Sequence, residues 1–131
     1  MLEAQGGSRE RPPTSHPAAL TVAATTSGWI EAIDALRCGL AVIDLGGGRL
    51  RKEDPIDHGV GLELAATVGD RVEVGAPLVH VRAPNEEVAR RALPRLEGAW
   101  RITSAEVVRP PHVRCRVDRV GTHPVDLDFR Q

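Results

Sequence analysis

The sequence predicts an α+β domain in which short strands bracket two capped helices. Three observations carry this. Apolar residues alternate in short runs separated by glycine- and proline-containing turns, as in Val60-Gly61-Leu62-Glu63-Leu64. Two longer segments show helical spacing behind a residue suited to capping, Asp34 and Asn85. Strands and helices do not alternate as a repeated strand–helix–strand unit would require, and no internal repeat is visible.

The elements follow in order. Residues up to about Ala18 are rich in Gly, Pro, Ser and charge; Pro12-Pro13 and His16-Pro17 exclude a helix interior or central strand there. Residues 1–19 therefore read as a linker or arm. Leu20–Ala24 and Trp29–Ile33 read as strands about a Thr25-Thr26-Ser27-Gly28 turn. Asp34 caps a helix whose apolar face is expected at Leu36, Leu40 and Ile43, spaced four and three apart. Gly46-Gly47-Gly48 ends it, because glycine tolerates the left-handed backbone of a helix C-terminus. A polar loop from Arg49 to His58 leads into the alternating strand at Val60–Leu64. Strands at Arg71–Val74 and Leu78–Arg82 follow, punctuated by Gly69-Asp70 and Gly75-Ala76-Pro77. Asn85 caps a second helix with Val88, Ala89, Ala92, Leu93 and Leu96 facing inward; Pro94 costs it a hydrogen bond or ends it early. Trp100–Val108 reads as the last clear strand, and His112–Val120 alternates weakly. The expected division is a linker at 1–19, a domain at 20–111, and a terminal strand and tail at 112–131.

Composition narrows the function classes. The 131 residues suffice for one core, with 41% hydrophobic and 27% charged residues. Aromatics are only 2%, so aliphatic side chains must build that core. A formal net charge of -1 gives no electrostatic footprint for nucleic acid or an anionic membrane. No apolar run approaches the roughly 20 residues of a membrane span, and the first residues lack the basic and apolar regions of a secretory signal. The expectation is a soluble, cytoplasmic protein. Cys38 and Cys115 form no Cys-x-x-Cys pair, and His16, His58, His80, His112 and His123 share no metal-ligand spacing. Neither a metal nor an organic cofactor is expected.

Leu45-Gly46-Gly47-Gly48-Arg49 is the segment that invites a chemical reading. Glycine-rich backbone can wrap an anion, and an adjacent arginine can fork onto a phosphate. A Walker loop needs Lys-Ser or Lys-Thr after its last glycine, and a dinucleotide loop runs from strand into helix. Here a helix runs into a loop, so a plain helix cap competes with the anion reading. Arg49-Leu50-Arg51-Lys52-Glu53-Asp54 is a solvated loop or a flap closing over an anion. Asp54 and Asp57 could pair for acid–base work, but no nucleophile accompanies them. Gly69-Asp70-Arg71-Val72-Glu73-Val74-Gly75 is similar to a turn of biotinyl and lipoyl carrier domains. Those attach their cofactor to a lysine at a hairpin tip, and Lys52, the sole lysine, lacks that setting.

Several segments together, in order and spacing, resemble the C-terminal domain of the thymidine and pyrimidine nucleoside phosphorylases. These are Ser27-Gly28-Trp29-Ile30-Glu31-Ala32-Ile33-Asp34, then Gly39-Leu40-Ala41 with Leu45-Gly46-Gly47-Gly48-Arg49. Glu53-Asp54-Pro55-Ile56-Asp57-His58-Gly59-Val60-Gly61 and Gly69 to Leu78 continue the series. Leu2-Glu3-Ala4-Gln5-Gly6-Gly7 resembles the segment that, in the family, closes the catalytic part. The resemblance implies an α/β-hammerhead fold and a chain that begins in a family member's interior. It implies that the family's catalytic domains, if separately encoded, are the partner, with phosphate as co-substrate of the complete enzyme and no cofactor. A homodimer of the family type is not expected, because that contact lies mainly in the absent helical domain. It also implies that the loop from Gly46 to Ile56 lines the interdomain cleft as a lid, with Gly46, Gly47, Gly48, Arg49 and Arg51 as the site residues. A free interaction module is the alternative, and a carrier domain a more distant one.

Overall fold

The computed structural model describes residues 15–49, 51–110, 115–117 and 119–124. Three antiparallel sheets are present among them, two of three strands and one of two. The first holds β1 (Ala18–Ala23), β3 (Gly61–Leu64) and β5 (Pro77–Arg82), with β5 in the middle. The second holds β2 (Gly28–Ile33), β4 (Arg71–Val72) and β6 (Trp100–Thr103), with β2 in the middle. β7 (Cys115–Val117) and β8 (Thr122–Pro124) form the small third sheet. The helices are α1 (Ala35–Asp44), α2 (Glu86–Arg90) and α3 (Leu93–Leu96). This is the mixed α+β architecture the sequence predicts.

β5 is the most buried strand, as a central strand flanked by two partners must be. Val79 and Val81 are fully buried, opposite Val22 and Leu20 of β1 and Leu64 and Leu62 of β3. In the second sheet Ile30 is fully buried and faces Ile102 across the ladder. Removing either side chain's contacts to alanine would cost about 2–5 kcal/mol. Leu45, Val72, Leu78, Leu96 and Trp100 are also buried, and seven alanines, Ala24, Ala41, Ala66, Ala83, Ala89, Ala92 and Ala99, fill the core between them.

Both helix caps form. Asp34 Oδ1 accepts from the Arg37 amide at 3.0 Å, and Asn85 Oδ1 from the Val88 amide at 2.9 Å. Two expectations change. The inward face of α1 is not the Leu36, Leu40, Ile43 row: Leu36 is 72% exposed, and the fully buried residue is Ala41. Close packing against α3 favours the small side chain at that contact. The predicted strand Trp100–Val108 stops at Thr103. The chain bends at Ser104-Ala105, and Arg109 folds back to pair with Asp70. The second helix is interrupted as its proline predicts: α2 ends at Arg90, and α3 restarts with Pro94 in its first turn. The expected inward residues Ala89, Ala92 and Leu96 are buried.

Candidate functional site

The site expected from the sequence lies on the connection between α1 and β3. At its start the chain leaves α1 through a two-bond cap. The Gly46 amide donates to the Ile43 carbonyl and the Gly47 amide to the Val42 carbonyl, both at 2.9 Å. Gly46 has φ +95°, which glycine adopts without strain. A Cβ on Gly47 would come within 2.7 Å of Val42 Cγ1 and 2.9 Å of Val60 Cγ2. The amides of Gly46 and Gly47 are thus engaged by the helix end, and Gly47 is set by packing. An anion at this loop would be met by the side chains of Arg49 and Arg51, both exposed.

The connection then returns on itself. The Asp57 amide donates to the Gly46 carbonyl at 2.9 Å, so the two ends of the segment 46–57 meet. Inside it, Asp54 Oδ2 accepts from the Arg51 amide at 2.8 Å, and the Asp54 amide donates to the Arg51 carbonyl at 3.1 Å. That turn fixes the backbone beneath Arg51. Asp54 and Asp57 are therefore given separate tasks rather than forming an acid–base pair.

Asp57 ties the loop to the upstream strand of chain. Its Oδ1 accepts from the Gly59 amide at 2.8 Å, and its Oδ2 lies 2.9 Å from His16 Nε2. The Gly59 hydrogen bond, and then the His16 contact, hold the Asp57 carboxyl below the ordinary aspartate range. The His16 amide donates to the Gly59 carbonyl at 2.9 Å, and Arg82 Nη1 donates to the His16 carbonyl at 3.0 Å. Arg82 is itself paired with Glu63 at 2.5 Å. Nothing in the sequence links His16 to Asp57, which stand 41 positions apart. Only the pairing of β5 with both β1 and β3 brings them together.

The other sequence candidates have structural partners. His80 Nδ1 lies 2.8 Å from Thr21 Oγ1 across the β1–β5 ladder. Asp70 accepts from the Thr67 amide at 2.8 Å and closes the turn between β3 and β4. Lys52 lies on the α1–β3 connection, not at a hairpin tip. Among the described residues no group of three or more His, Cys, Asp or Glu is placed to hold a metal ion. No helix there is long and apolar enough to cross a membrane. His112 and the first residues that resemble the family lie outside the described part.

An α+β domain built around a capped helix, a glycine-arginine loop and a Gly-Asp turn defines a class, and comparison with known proteins identifies it. Residues 29–103 match the family model described as pyrimidine nucleoside phosphorylase C-terminal domain, and the chain belongs to that family. It is 40% identical over 97 residues to the thymidine phosphorylase of Burkholderia cenocepacia (strain HI2424), covering 74% of this chain and 22% of that protein. The thymidine phosphorylase of Sinorhizobium fredii (strain NBRC 101917 / NGR234) is 36% identical over 101 residues, 77% of this chain and 23% of that protein. That of Burkholderia orbicola (strain MC0-3) reaches 48% over 71 residues, 54% and 16% respectively. The matched part of the chain therefore spans only 16–23% of the length of these relatives.

Proposed function

We propose that the chain is the C-terminal, α/β-hammerhead domain of a pyrimidine nucleoside phosphorylase and is catalytically incomplete without the rest of such an enzyme. One observation carries this: the family match fills residues 29–103, yet the matched segment is only 22% of the Burkholderia cenocepacia thymidine phosphorylase. The assembled enzyme would exchange the base of thymidine, uridine or deoxyuridine for phosphate, releasing the free base and a pentose 1-phosphate. Phosphate is a co-substrate there, and no cofactor is needed. The partner is the catalytic part; neither nucleic acid nor membrane is, and a family-type homodimer is not expected. The reading includes a domain at 20–111 behind a linker, with 112–131 as a terminal strand and tail, in a cytoplasmic protein.

Within that enzyme the loop from Gly46 to Ile56 serves as a lid on the cleft. Gly46, Gly47 and Gly48 form its root, and Arg49 and Arg51 face the substrate. Two features support the assignment. The root is fastened by the helix cap and by the Asp57–Gly46 hydrogen bond, so the lid moves from a fixed base. Both arginines stand exposed, where a guanidinium can fork onto a phosphate oxygen pair once water is excluded.

The test is direct. The purified chain, incubated with thymidine and phosphate, should release no thymine by chromatography. Turnover by the chain alone would end the claim of incompleteness.

A further inference from the structure

Beside the lid runs an apolar groove that no part of this chain covers among the described residues. It is lined by Ala35, Cys38, Gly39 and Val42 of α1, by Leu62 and Leu64 of β3, and by Ile33 at the end of β2. It encloses about 440 Å³. Leu64, one of the two exposed leucines among the described residues, lines it at 47% exposure. An exposed apolar cluster of this kind marks a contact surface.

Gly39 is an independent observation. It lies in the interior of α1, where glycine is the least favourable residue after proline. A Cβ there would meet no atom within 4 Å, so nothing in this domain demands a glycine. A foreign side chain pressing into the groove would demand one. The lining combines the small Ala35, Cys38 and Gly39 with the branched Ile33, Val42, Leu62 and Leu64, which suits an aliphatic or aromatic side chain of a partner.

The position of the groove identifies that partner. The family segment is a C-terminal domain, so in the relatives the remaining length lies upstream of the match. On the upstream side of β1, the His16 amide donates to the Gly59 carbonyl, and Ser15 lines a depression together with Val60, Leu62 and Glu63. Leu62 borders both that depression and the groove. β3 is also an edge strand of its sheet.

We infer that the α1–β3 groove is the seat of the phosphorylase catalytic part, which inserts an apolar side chain over Gly39 and Cys38 beside Leu62 and Leu64. This rests on the function proposed above. It would set the lid, which joins the same two elements, against the catalytic part.

The two cysteines supply the test. Cys38 lines the groove, whereas Cys115 is exposed on β7. The whole chain is joined in place of the matched segment of the Burkholderia cenocepacia thymidine phosphorylase. Iodoacetamide alkylation of each cysteine is followed by peptide mass spectrometry in the hybrid and in the free chain. Mildly alkaline buffer is used, because burial, and secondarily Asp34, push the Cys38 thiol up. Thymidine cleavage is measured in parallel. Cys38 should react at least tenfold more slowly in the hybrid, with Cys115 unchanged, and the variant Leu64→Arg should restore its rate. An active hybrid with Cys38 as reactive as in the free chain overturns the groove assignment and leaves the proposed function standing. A protected Cys38 in an inactive hybrid supports the groove and refutes the function. A hybrid neither active nor protected refutes both. Protection that rises with concentration in the free chain assigns the groove to a second copy and overturns the inference.

Discussion

The Asp57 carboxylate accepts from Gly59 with one oxygen and meets His16 with the other, so it is stabilised in its ionised form. Its folded pKa lies below the unfolded value of 3.8, with the Gly59 amide the larger cause and His16 the next. The sign follows: stability from this group is fully present above the unfolded value and is lost as pH falls through the lower folded one. Asp57→Asn keeps an oxygen for the Gly59 amide but carries no charge. The gap in urea midpoint between wild type and Asp57→Asn should shrink as pH is lowered from 7 to about 3. A gap that stays constant over that range would refute the assignment. The sequence marks Asp57 only as one of two nearby carboxylates; the proton-bearing partner, His16, sits in a segment that reads as linker. Residue identity shows that Asp57 can accept, but its partner depends on a strand order that no local pattern encodes.

At the scale of elements, α1 is legible at both ends and not along its side. Asp34 and Gly46 announce their roles because capping is local chemistry: a short acceptor before the first turn and a left-handed glycine after the last. The buried face depends on what packs against it. Hydrophobic size points to Leu36, but close packing buries Ala41 and leaves Leu36 outside. The same logic separates two glycines of this region. Gly39→Ala adds a methyl into open space within a helix interior and should stabilise the isolated chain by about 0.5–1 kcal/mol. Gly47→Ala drives a methyl into Val42 and Val60 and should destabilise it by about 1–3 kcal/mol. Chemical denaturation of the two variants checks both signs, and a destabilising Gly39→Ala would show that the domain itself uses that glycine. β6 illustrates the converse. Trp100–Val108 has strand composition throughout, yet ladder pairing with β2 ends at Thr103 opposite Trp29, and the remaining residues turn towards Asp70.

For the whole molecule, class and family are legible, whereas the sheet partition is not. β1 pairs with β5 and β2 with β6, contacts between segments more than fifty residues apart. Hydrophobic alternation supplies the strands but leaves open which of them meet. Arg49 and Arg51, proposed above as lid residues, are exposed and lie outside the core, so that role divides from folding. Arg49→Ala and Arg51→Ala should leave the stability of the free chain within about 0.5 kcal/mol. In the hybrid enzyme each should raise KM for phosphate about tenfold, the loss of roughly one charge-assisted hydrogen bond. Steady-state kinetics checks this, and unchanged phosphate saturation in both variants would remove the arginines from the lid role.

The bond from the Asp57 amide to the Gly46 carbonyl closes a ring whose two feet stand side by side on the fold. Beyond Gly47 and Gly48, which pack on Val42, Ile43 and Val60, the described residues between those feet are an appendage to the scaffold rather than a span within it. Residues added there lengthen a loop already closed, and each doubling of loop length costs only about 0.6 kcal/mol of closure entropy. The region is thus free to vary in length and reach while α1, β3 and the sheet beneath them keep their geometry. Under the lid role proposed above, substrate preference can diverge at that ring without refolding the domain that carries it.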